Sequence, residues 1–77
     1  MEKNLNKAFQ YYKFAAEKGH PHSQLQLAKF YLEAKGTEKN VKEAKKWLKL
    51  AIYKGNEEAL KIWQENNFEA LTLESKK

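Results

Sequence analysis

Cysteine, arginine and aspartate are all absent from this chain of 77 residues, and it carries only three glycines and one proline. Without cysteine there is neither a disulfide framework nor a thiolate metal site to support a small core, and the redox compartment stays open. Without arginine, the net charge of +5 rests on lysine alone, a flexible point charge that lacks the planar fork used to read phosphate and guanine bidentately. A sequence-specific nucleic-acid reader is therefore disfavoured, and the charge serves solubility or weak attraction to acidic surfaces. No stretch approaches the roughly 20 apolar residues of a membrane span, and the opening MEKNLNKAFQ has no apolar run of signal-peptide length. The expectation is a soluble, cytoplasmic protein with no membrane contact. Its size makes one domain near the lower limit at which burial outweighs chain entropy, so close packing or other chains must contribute.

What the chain does contain is a copy of itself. Asn4 to Gly19 (NLNKAFQYYKFAAEKG) lies over Asn40 to Gly55 (NVKEAKKWLKLAIYKG), 36 positions on. The asparagine, Ala8/Ala44, Lys13/Lys49, Ala15/Ala51, Lys18/Lys54 and the final glycine are identical, while Tyr11 meets Trp47, Tyr12 meets Leu48 and Phe14 meets Leu50. A period in this range marks stacked helical hairpins.

Local signals divide the period into helices. Asn4, Asn40 and Asn56 are N-caps, Gly19 and Gly55 are left-handed terminators, and Pro21 suits the first turn of a second helix. Helices are predicted from Asn4 to Gly19, Pro21 to Lys35, Asn40 to Gly55 and Asn56 to about Asn66, with an apolar extension over Phe68 to Leu73 and a frayed end from Glu74 to Lys77. The third helix puts Val41, Ala44, Trp47, Leu48, Ala51 and Ile52 on one arc and Lys42, Lys45, Lys46 and Lys49 on the opposite, solvated side. The second is apolar on two sides, with Leu27, Phe30, Tyr31 and Ala34 on one and Leu25 and Leu32 on the other. Such a helix lies between two layers, as the inner helix of a solenoid does. The expected fold is all-α, a right-handed α/α superhelix of about four helices: an outer helix over 4–19, a full repeat over 20–55 and a capping inner helix over 56–73.

The run Lys7-Ala8, Tyr11-Tyr12-Lys13, Ala15-Ala16-Glu17-Lys18-Gly19-His20, Ser23-Gln24, Leu27-Ala28, Tyr31 and Gly36, continued by Asn40, Lys42, Ala44, Trp47, Lys49, Ala51 and Gly55, resembles the Sel-one-like repeat, a relative of the tetratricopeptide repeat. AAEKGH is its most specific piece, and the match covers residues 4 to about 63. The chain departs from the family pattern at Ala28 and Ala34, where glycine is usual, at Thr37, where valine is usual, and in the second copy at Ile52-Tyr53 and Leu60, which suggests a terminal, capping repeat. The resemblance implies a non-catalytic scaffold or adaptor that binds proteins or peptides, often in bacterial signalling, envelope or host-interaction roles, with no cofactor.

The residues themselves offer little chemistry. His20 and His22 fall short of the three or four ligands of a zinc site. Ser23, Thr37, Thr72 and Ser75 have no histidine and acid at a recognised spacing, and three isolated glycines make no phosphate cradle. No enzyme is expected. Two polar stripes are candidate binding surfaces. His22, Gln26, Lys29 and Glu33 follow one face of the second helix, and the period aligns them with Glu58, Ile62 and Glu65 of the fourth, where the groove of a helical-hairpin solenoid would hold a peptide. The alternative is Lys42, Lys45, Lys46 and Lys49, which would take nucleic acid or an acidic partner, though either stripe also reads as plain solvated surface. Tyr11, Trp47 and Trp63 are expected to pack between helices. Phe9 and Phe14, on a first helix ringed with aromatics, are expected to contribute to a homo-oligomer or partner interface.

Overall fold

The structure, a computed structural model, describes residues 4–68. Among these residues there are four helices and no strand: α1 (Leu5–Glu17), α2 (Pro21–Glu33), α3 (Val41–Tyr53) and α4 (Glu57–Glu65). Each boundary has a local cause. The side-chain oxygens of Asn4, Asn40 and Asn56 accept from the amides of Lys7, Glu43 and Ala59 at 3.0, 3.0 and 2.9 Å, satisfying donors that the first helical turn leaves unpaired. His20 makes no such bond ahead of α2, where Pro21 at the first position has no amide proton to satisfy.

The two copies fold alike. Gly19 and Gly55 both take positive φ, 94° and 90°, and donate to Ala16 and Ile52 at 2.9 Å, while His20 and Asn56 donate to Ala15 and Ala51. Lys54 then reaches across the repeat to donate to the Gly19 carbonyl at 2.7 Å. Successive hairpins are thus tied at their turns.

One expected boundary shifts, and the end of the chain after α4 turns away from the helix. Helix α2 ends at Glu33, two residues short of Lys35, because Ala34 adopts the left-handed conformation (φ 57°) and donates to the Phe30 carbonyl. Alanine in that region costs about 1–2 kcal/mol. Ala34→Gly should therefore raise stability by about 1 kcal/mol, measured as a higher urea midpoint with an unchanged slope. At the other end α4 stops at Glu65, Asn67 turns left-handed (φ 55°), and Phe68 leaves the helix to meet the Trp63 ring edge-on with centroids 5.1 Å apart. Phe68 itself packs back without being helical, and the rest of the expected extension over 68–73, like the expected frayed end, lies outside the described residues.

The core runs along the stack. α2 packs against both α1 and α3, and α3 also packs against α4. Leu25, Leu27 and Leu48 are fully buried. Ala16, Ala28, Ala44, Ala51 and Ala59 are buried at the crossings, where the lack of a larger side chain lets neighbouring elements pack closely. Trp47 and Trp63 are core residues, as expected, but Tyr11 is 64% exposed, since among the described residues no helix covers that side of α1. Phe9 also departs from expectation. It is only 9% exposed, packed edge-on against Tyr31 at 5.4 Å, and so is not available to an interface, whereas Phe14 is 62% exposed with Lys18 over its ring.

Candidate functional site

Polar faces of α2 and α4 border a cleft. Lys29, Leu32 and Glu33 of α2 face Glu57, Glu58, Lys61, Ile62 and Glu65 of α4 and Asn66 at its end, around a space of about 700 Å³. Leu32 and Ile62 are half-buried and supply an apolar element. Four carboxylates against two ammonium groups make the rim acidic in a chain whose net charge is +5. One cation is already engaged, because Lys29 lies 3.6 Å from Glu58 in an exposed pair between the helices. Such a pair contributes well under 1 kcal/mol and opens readily to a competing charge.

Of the groove residues expected from sequence, this cleft gathers Lys29, Glu33, Glu58, Ile62 and Glu65. His22 is not among them: it borders a separate hollow of about 450 Å³ with Tyr11, Phe14, Lys18 and His20, and Gln26 lines neither. The reason is an offset along the stack. Glu58 in the first turn of α4 pairs with Lys29, and the α2 residues that line the cleft, Lys29, Leu32 and Glu33, all lie in the second half of that helix. Leu32, Glu57, Lys61 and Asn66 join the cleft although the stripe omitted them. Leu32 belongs by its spacing to an apolar packing stripe, while Glu57 and Lys61 lie four residues apart on α4, a spacing that marks a common edge.

The lysine stripe is organised differently from a free basic face. Val41, Lys42, Lys45, Lys46 and Lys49 border a shallow hollow of about 480 Å³. Lys45 lies 5.3 Å from the centre of the Phe68 ring, Lys49 5.6 Å from that of Trp63 and Lys46 5.0 Å from that of Trp47. Lys45 and Lys49 are half-buried by this packing, which corrects the expectation of a fully solvated side. Attraction between each ammonium and the negative face of its ring offsets part of the repulsion within the stripe.

A third hollow, about 550 Å³, is bordered by Lys13 and Glu17 of α1, the loop from Thr37 to Asn40, and Glu43, Lys46 and Trp47 of α3, with Tyr31 of α2. Burial first, then the carboxylates of Glu43 and Glu17, push the Tyr31 phenol above its ordinary value of 10.0. It stays neutral at physiological pH and acts as a packing group. The Trp47 indole nitrogen is buried beside it without an acceptor. Among the described residues no three His, Cys, Asp or Glu side chains converge as a metal site would require, and no helix is long and apolar enough to cross a membrane.

The Sel1 repeat family model matches residues 1–20 and 21–56, which together make up most of the chain and include both copies of the motif. No curated protein and no solved structure matches. Sel1 repeats generally mediate contacts between proteins and are typically non-catalytic. With caps, turns and hairpin stacking repeated in both copies, this chain belongs to the Sel1 repeat family.

Proposed function

We propose that the protein is a small interaction module that holds a protein or peptide segment in the cleft between α2 and α4. The observation that carries this reading is the acidic rim around Leu32 and Ile62 on a chain that is otherwise basic. It favours a segment with an apolar side chain flanked by lysine or arginine. Electrostatic complementarity of that kind guides register and association rate. The lysine stripe supports the competing reading less well, since three of its four ammonium groups lie over aromatic rings of the protein itself.

The sign of the response to mutation tests the proposal. Peptides selected from a displayed library against the whole protein should shift the amide resonances of Glu33, Glu58, Ile62 and Glu65. Their affinity should fall about tenfold, roughly 1.4 kcal/mol, with Glu65→Lys, and rise with Lys29→Glu, which removes the competing cation. Lys46→Glu should leave it unchanged. Shifts centred on Lys42 to Lys49, with binding lost in Lys46→Glu and retained in Glu65→Lys, would transfer the function to the lysine stripe and an acidic ligand.

A further inference from the structure

The internal duplication shows how one face of α1 differs from its counterpart on α3. Tyr11 and Phe14 are 64% and 62% exposed, yet Trp47 at the position equivalent to Tyr11 is 7% exposed, and Leu50, equivalent to Phe14, is half-buried. The neighbours of the two helices explain the difference. α1 packs against α2 as α3 packs against α4, but among the described residues no helix stands against α1 in the place that α2 takes against α3. At 100° per residue, Leu25, Ala28 and Leu32 fall together on the side of α2 opposite Phe30, whose ring meets Tyr12 of α1, while Tyr31 lies beside Ala28, meets Phe9 of α1 and also borders Trp47 of α3. That stripe is therefore the one α2 turns toward α3.

A second copy is a poor candidate to supply the missing stripe. Its free counterpart on α4 has Lys61 where α2 has Leu25 and Gln64 where α2 has Ala28, both exposed. The stack is polar at its α4 end and aromatic at its α1 end, so head-to-tail stacking of copies would bury a lysine against Tyr11 and Phe14. We infer that the Tyr11–Phe14 face of α1 docks an amphipathic helix of a partner protein whose buried stripe has leucine and alanine at the spacing of Leu25, Ala28 and Leu32. The helix continues the α2–α3 interface by one step. Lys18 marks the edge of the site, since its equivalent Lys54 bonds the backbone of the preceding repeat at Gly19 while Lys18 lies over Phe14.

The test uses the whole protein and a labelled peptide with the sequence of residues 20–35, held helical by a side-chain staple between positions 22 and 26, which belong to the free face of α2. Saturable micromolar binding is expected, weakened more than about tenfold by Phe14→Glu in the protein or by Leu25→Lys in the peptide, as anchor truncation at a small interface does. A stapled peptide of residues 56–68 should not bind, and Lys29→Glu in the protein should have no effect, which keeps the result separate from the α2–α4 cleft. Circular dichroism of Phe14→Glu should match the parent, because the side chain is exposed. Absence of saturation, or equal binding to Phe14→Glu, overturns the inference. A sedimentation dimer of the unaltered protein that Phe14→Glu dissolves also overturns it, by making a second copy the occupant.

Discussion

Gly36→Ala is expected to lower stability by about 3–5 kcal/mol, enough to leave little folded protein at 37 °C. Two effects add. Gly36 has φ +68°, a region where any other L-residue is strained, and a β-carbon built there would overlap the Leu5 carbonyl and lie 3.0 Å from the Phe9 β-carbon. The obstruction is backbone, so no side-chain rotation relieves it. The loop after α2 would have to withdraw from the start of α1, uncovering Phe9 and its contact with Tyr31. Gly55→Ala is the matched control, since its φ is +90° but nothing lies within 4 Å of the added carbon. Its loss should be about 1–2 kcal/mol, the conformational part alone. Urea unfolding followed by circular dichroism reads both. Equal midpoints for the two variants would mean that the loop does not press on α1, and the account of Phe9 burial would fall with it.

That contact illustrates where the sequence is informative and where it is not. Caps and glycine turns act within a few residues, so Asn4, Asn40, Asn56, Gly19 and Gly55 could be read directly and the structure uses each of them. The two-sided pattern of α2 likewise placed it between layers, because burial on opposite faces requires two neighbours. At Ala34 the local signal fails, since alanine favours continuing a helix but is left-handed here, ahead of the loop that follows. Phe9 was misjudged among the aromatics of α1, although its spacing to Tyr12 and Ala16 puts it on the buried stripe. The cleft was half legible: helical spacing finds a free face, but the offset that leaves His22 outside it depends on how far α4 slides along α2. The rings at Lys45 and Lys49 lay beyond the pattern altogether, because Phe68 reaches Lys45 only through the turn after Asn66 and Trp63 meets Lys49 only through the packing of α4 on α3.

Leu48→Ala should be comparably damaging, for a different reason. Leu48 is fully buried on α3, the helix that packs against both α2 and α4, and truncating a leucine in such a site costs about 2–5 kcal/mol through lost burial and the cavity left behind. A single core in a chain of this size supplies only about 3–5 kcal/mol in all. The variant should therefore be mostly unfolded at 37 °C, while Leu48→Met, which conserves volume, stays within about 1.5 kcal/mol of the parent. Leu60→Ala, at a residue 37% exposed on α4, should lose under about 1 kcal/mol. The contrast also bears on cooperativity. In a stack whose members touch only their neighbours, an end helix can open alone, whereas loss of a central one removes the support of those on either side. Amide exchange should accordingly be slowest in α2 and α3 and faster in α4, with Leu48→Ala accelerating all of them and Leu60→Ala mainly α4. If Leu48→Ala melts within a few degrees of the parent, or accelerates α4 alone, then α3 is not the central support of the stack.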